Sequence, residues 1–175
     1  MHRIRLDSKR VSGGLPDRLR AEIDRFVPLE FPAGEGAINW LRNHIEDPCG
    51  PWEVVLTLDR ERNLLGFFAL AYKNIQLEPG AKPVAAMEVA WIARRIDTPK
   101  GFGRNLLIYA MTIALSEGAV ALVVSPHDDQ TAEKVWINGF CFRPVPGCKP
   151  EGATGQVFVG LRDPELIQAA IEGTS

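Results

Sequence analysis

The stretch that most constrains this chain is 84–126. There "VAAMEVAWIA" is apolar on both faces except for Glu88, as a central, doubly covered strand is, and "TPKGFG" makes a glycine turn. "RNLLIYAMTIALSEG" follows, with Leu106, Leu107, Ala110, Ile113 and Ala114 at helical spacing and Gly118 placed to close the helix. "AVALVVSP" is a second buried strand. Strand, turn, helix and strand in this order predict a right-handed crossover between parallel neighbours.

The rest of the chain builds around that unit. "LPDRLRAEIDRF" and "GEGAINWLRNHIED" read as amphipathic helices, the first facing Leu15, Leu19, Ile23 and Phe26 inward, the second Ile38, Leu41 and Ile45. "WEVVLTLD" and "LLGFFALAYKNI", separated by "RERN", predict an antiparallel hairpin. Beyond 126, "DQTAEKVWING" reads as a short helix, "CFRPV" and "GQVFVGL" as strands, and "DPELIQAAIEG" as a terminal helix capped by Asp163 with Pro164 at its first position. The pattern predicts an α/β (α+β) chain with a mixed, mostly antiparallel central sheet and helices on both faces. No linker interrupts it, so 1–175 reads as one domain.

Charge and cysteine usage narrow the function classes. A net charge of −2 argues against a protein that coats nucleic acid with its whole surface. Arg3, Arg5, Lys9, Arg10, Arg18, Arg20 and Arg25 crowd the N-terminal part and form either a phosphate-facing patch or, diluted by Asp7, Asp17, Glu22 and Asp24, a solvated charged face. Cys49, Cys141 and Cys148 form no CxxC pair, which predicts neither a disulfide frame nor a zinc site and points to the cytoplasm. "MHRIRLDSKR" lacks the apolar segment of a signal peptide, and no apolar run is long enough to span a membrane. Trp40, Trp52, Trp91 and Trp136 are equally suited to an interface, including that of a homodimer, and to a core.

The glycine turn carries the first chemical expectation. A helix start exposes unpaired N–H groups and a partial positive charge, both of which favour phosphate. Gly101 and Gly103 let a backbone approach a diphosphate, and Lys100 and Arg104 add charge. No GK[ST] follows, so this is no P-loop. Position 106 is Leu where a dinucleotide fingerprint wants Gly.

"MEVAWIARRIDTPKGFGRNLLIYAMTIALSEGAVALVV" followed by "TAEKVWINGF" resembles the GNAT acetyltransferase superfamily, and the likeness covers roughly 30–162. That family leads a central strand into an Arg/Gln-x-x-Gly-x-Gly/Ala loop whose amides hold the coenzyme A diphosphate. Here the loop is Thr98-Pro99-Lys100-Gly101-Phe102-Gly103, with Thr98 at the usual Arg or Gln position. The resemblance implies acetyl-CoA as cosubstrate, no metal, and a coenzyme site at Ala93, Arg94, Lys100, Gly101, Phe102, Gly103 and Arg104. It implies attack of a primary amine on the acetyl thioester, with a backbone N–H near Ala93 polarising the carbonyl. Glu88 is the first candidate base, against the alternatives of an exposed strand residue or a structural ion pair; His127 and Asp128 are the second. The family often places a tyrosine four residues before the final Gly, as an acid. Counting back from Gly139 gives Val135, and Tyr109 reads as packing.

"FPAGEGAINWL" and "LLGFFALAYKNI" further resemble the early blocks of toxin-type GNAT proteins, through Phe31, Gly34, Ile38, Asn39, Gly66, Phe67, Phe68 and Leu70. This implies aminoacyl-tRNA as acceptor and an antitoxin as partner. Three readings remain open: an N-acetyltransferase acting on aminoacyl-tRNA, a small amine or a protein amine; a catalytically inactive coenzyme A-binding or partner-binding module; and a nucleotide-binding α/β protein.

Overall fold

The computed structural model describes residues 1–6, 14–29, 33–47, 50–76, 82–119, 121–125, 136, 139–140, 142–144 and 158–161. They fall into two compact units, Met1–Ala71 with Ala90–Leu107, and Tyr72–Val89 with Ile108–Ser175. The elements are β1 (His2–Leu6), α1 (Asp17–Asp24), α2 (Ala33–Glu46), β2 (Glu53–Leu58), β3 (Leu64–Ile75), β4 (Val84–Arg94), α3 (Phe102–Ser116), β5 (Ala121–Val124), β6 (Arg143–Pro144) and β7 (Phe158–Leu161). The hydrogen-bonded strand order is β1-β2-β3-β4-β5-β7-β6. β1 with β2, β2 with β3, β5 with β7 and β6 with β7 are antiparallel, and β4 with β5 is parallel, so the sheet is mixed as expected.

In the first unit the apolar stripes predicted for the two early helices meet the sheet. Leu19 and Ile23 of α1 and Ala37, Ile38, Leu41 and Ile45 of α2 pack with Leu6, Val54, Leu56, Leu58, Leu64 and Phe67 in one buried cluster. Each buried Leu, Ile or Phe contributes roughly 1.5–3 kcal/mol, so this face carries much of the stability of the unit. Phe67 meets Phe26 edge to face, with ring centroids 5.9 Å apart. Gly66, one residue earlier, faces the opposite way, towards Phe102 and Leu106 of α3. Helices therefore lie on both faces of the sheet in this unit. The predicted hairpin forms, with Leu58 opposite Leu64 and a register shift at Thr57/Leu58. Its turn is tied by Asn63, whose N–H and side-chain amide donate to Asp59 at 2.8 and 2.7 Å.

The predicted helix stripe is buried in full at Leu106, Leu107, Ala110, Ile113 and Ala114. In the second unit α3 ends in a Schellman cap, the N–H groups of Gly118 and Ala119 donating to the carbonyls of Leu115 (3.1 Å) and Ala114 (2.9 Å). β5 then pairs with β4 from Ala86↔Ala121 to Val89↔Val124. β4 itself continues to Arg94, beyond the last pair of that ladder. The predicted helices over 129–139 and 163–173 fall outside the described residues, apart from Trp136 and Gly139. Trp136 packs on Phe140 and Phe142, with ring centroids at 5.7 and 5.4 Å.

Candidate functional site

The glycine turn lies in the first unit and is built by its own backbone. Beyond β4, the Arg95 N–H donates to the Leu65 carbonyl at 2.8 Å, anchoring the chain to β3. The Thr98 N–H and hydroxyl then both donate to the Arg95 carbonyl, at 3.1 and 2.7 Å. This gives Thr98 a local job: its side chain closes the turn on which a family arginine or glutamine would stand. The Phe102 N–H donates to Pro99 (3.1 Å), and the Gly101 carbonyl accepts the first helical bond, from Asn105 (3.2 Å). Gly101 has φ +88°, a left-handed conformation that a side chain opposes.

Gly103 differs. A Cβ there would meet only the Arg94 side chain, at 3.6 and 3.8 Å, which is ordinary contact. The protein itself does not require glycine at 103; the open space in front of it is what a ligand would use. Phe102, assigned by sequence to the coenzyme site, buries its ring, so only its backbone is available there. Lys100 is exposed, and Arg94 borders Gly103. Arg104 supplies the most informative atom, because its Nε is buried with no hydrogen-bond partner among the described residues. A buried, unpaired guanidinium donor is unfavourable by itself and is relieved by an anion. Arg94, Lys100, Arg104 and the first amides of α3 together suit a diphosphate, and so fit coenzyme A.

Glu88 lies in the second unit, on β4. It is buried, which removes the exposed-strand reading, and ion-paired: its Oε2 is 3.4 Å from Lys73 Nζ on β3. The Ser125 hydroxyl donates to Oε1 at 3.3 Å. Sequence reading missed both partners, because nothing in the spacing of 73, 88 and 125 announces that three strands bring them together. His127, Asp128 and Val135 lie outside the described residues. Tyr109 is half-buried on α3.

The N-terminal cations are largely engaged. Arg5 forms a two-bond ion pair with Glu53, Arg18 donates to the Glu61 carbonyl, and Arg25 lies 4.0 Å from Glu22. Lys9 and Arg10 lie outside the described residues. An aromatic group also went unpredicted. Trp40 stacks on His44 (4.8 Å) and Trp91 (6.0 Å) and meets Trp52 edge-on (6.1 Å). These three tryptophans are half-buried and pack on one another. Among the described residues no group of His, Cys, Asp and Glu is placed to hold a metal, and no helix is long and apolar enough to cross a membrane.

No protein-family model matches the chain, and no curated protein matches it by sequence. Solved structures do match. AtaT complexed with acetyl-methionyl-tRNAfMet superposes with TM-score 0.61 at 14% identity over 99% of both chains. The KacTA–DNA complex gives TM-score 0.59 at 14% identity over 98% of this chain and 99% of that one. A structure described as a bacterial toxin gives 0.63 at 11% identity, over 98% and 96%. The chain has the fold of these toxins. The sequence resemblance to toxin-type GNAT proteins is thus borne out at the level of fold, across the whole chain.

Proposed function

We propose that this chain is a toxin-type GNAT N-acetyltransferase that takes acetyl-CoA at 93–104 and transfers the acetyl group to the amino group of an aminoacyl-tRNA. The observation that carries the reading is the cationic glycine turn, with the unpartnered Arg104 Nε at the start of α3. The fold adds the acceptor and the partner: AtaT is solved with acetyl-methionyl-tRNAfMet, and with the C-terminus of the antitoxin AtaR together with acetyl-CoA.

In this reading the turn amides, Arg94, Lys100 and Arg104 bind the diphosphate. The stretch of β4 beyond its ladder with β5 presents a backbone N–H near Ala93 to the thioester carbonyl. The acceptor amine must be neutral to attack, and Glu88 takes its proton, directly or through water. The C–N bond forms as the C–S bond breaks. A thiol has a pKa of only about 8.5, so the thiolate leaves without a strong acid. A general acid typically contributes roughly 10²–10⁴-fold, so a valine at 135 implies a slow enzyme, not an inert one.

Calorimetric titration with acetyl-CoA, with ATP as control, tests the coenzyme site. Micromolar binding of acetyl-CoA alone is expected, lost in Gly103→Val while the fold survives; unchanged affinity in that variant overturns the assignment. Transfer of labelled acetyl to charged tRNA, and growth arrest on expression, test the acceptor. The second reading, a coenzyme A-binding module without turnover, is favoured by Thr98, whose hydroxyl is committed to the turn. It predicts binding with no transfer to any amine.

A further inference from the structure

One face of the second unit changes character at a single level. Ile75, Val84, Ala86, Ala121 and Val123 pack together as an apolar cluster. Side chains alternate along a strand, so the next residues on this face are Lys73 on β3, Glu88 on β4 and Ser125 just past β5. All three are polar, and they bond to one another: Lys73 Nζ to Glu88 Oε2 at 3.4 Å, the Ser125 hydroxyl to Oε1 at 3.3 Å. A carboxylate this buried needs a partner, and each of its oxygens has one. The two partners differ. The Ser125 hydroxyl sits on a short side chain. Lys73 keeps a third of its side chain exposed (33%, against 10% for Glu88), on a flexible four-carbon stem that can carry its ammonium to water.

We propose that Lys73 is a positioning residue whose ammonium holds, in the free protein, the place on Glu88 that the protonated amine of the acceptor takes. The inference rests on Glu88 being the proton acceptor proposed above. Acceptor binding is then an exchange of one ammonium for another on Oε2, and the buried carboxylate is never left unpaired. An uncharged hydroxyl cannot make that exchange, so the pair selects cationic amines. In the step that follows, the acceptor ammonium gives one proton to Glu88. The neutral nitrogen attacks the thioester carbon, C–N forms and C–S breaks. The second proton of the nitrogen leaves with the thiolate, as the thiol.

The test is steady-state acetylation of methionyl-tRNA by the full chain with labelled acetyl-CoA, for the wild type, K73M, K73R and E88Q. A part-exposed ion pair competes with the acceptor by up to about fivefold, so K73M should lower the acceptor KM by about that factor. Its KM for acetyl-CoA should be unchanged, and K73R should restore the wild-type acceptor KM. A K73M protein with lower thermal stability but an unaltered or raised acceptor KM makes the pair purely structural and overturns the proposal. If K73M does not fold, K73Q carries the same expectation. Wild-type turnover that survives E88Q, or no turnover at all, overturns the Glu88 reading and this one with it. An inactive E88Q beside an unmoved KM in K73M overturns this one alone.

Discussion

Gly66 on β3 lies so close to the Ala93 carbonyl on β4 that a Cβ built on it would stand 2.8 Å from that oxygen. The same Cβ would come within 2.9 Å of Phe102 and 3.0 Å of Leu106, both buried. The close approach of β3, the end of β4 and the start of α3 therefore depends on the absence of one side chain. Gly66→Ala should cost roughly 1–3 kcal/mol, the usual range for overpacking, because one of the three neighbours is backbone that cannot rotate away. Urea denaturation measures it. The same variant should weaken acetyl-CoA binding, since the strain falls on Ala93 and the turn; stability and affinity both unchanged would show that the strands give way freely.

Gly101 and Gly103 separate fold from ligand. Gly101→Ala places a side chain at φ +88° and should destabilise by about 1–2 kcal/mol. Gly103→Ala sits inside α3 with ordinary contacts to Arg94, so stability should hold or rise by up to about 1 kcal/mol. Its acetyl-CoA affinity should nonetheless fall. Thermal melts and calorimetry on the pair decide it: a Gly103→Ala protein that binds normally leaves the turn without a ligand-related reason for its second glycine.

Arg62 has φ +70°, the one non-glycine residue with positive φ among the described residues. It closes the β2–β3 hairpin, its N–H donating to the Asp59 carbonyl at 3.3 Å. Arg62→Gly should stabilise by about 0.5–1 kcal/mol, the left-handed cost relieved minus the backbone entropy that glycine loses. A rise in the urea midpoint checks it; a fall means the Arg62 side chain contributes more than its backbone costs.

What could be read from the sequence followed periodicity. The α3 stripe, the hairpin, the parallel β4–β5 pair and the Gly118 cap were legible because each is a local pattern. β1 was missed although Ile4 and Leu6 alternate with polar residues, because His2, Arg3 and Arg5 read as a charged tail; Arg5 is in fact paired with Glu53 across the strand. The glycine turn was found by composition, but not the different demands on its two glycines, which depend on a dihedral angle and on the side chain of Arg94. The partners of Glu88 come from β3 and from the end of β5, and no local pattern could join them.

His44 offers a pH signature. It is 3% exposed, both ring nitrogens lack hydrogen-bond partners, and its ring stacks on Trp40. Burial without a partner disfavours the charged form and holds its pKa below the usual value of about 6.5. The unfolded chain then binds a proton that the folded chain resists. Stability is therefore fully present above about 6.5 and falls as the pH drops from there towards the lowered folded value. Carboxylates act in a lower window. Asp59, held down chiefly by the Asn63 side chain, and Asp97, held down chiefly by Arg95, withdraw their support only below about 3.9. Between pH 7 and 5 the His44 effect should stand apart. His44→Phe keeps an aromatic ring on Trp40 and removes the titration. Its melting temperature should vary less over that range than the wild-type value does, whatever its absolute stability. Parallel melting curves for the two proteins would mean that His44 gains a partner on protonation, for instance through the face of Trp40, and that its burial has no cost in acid.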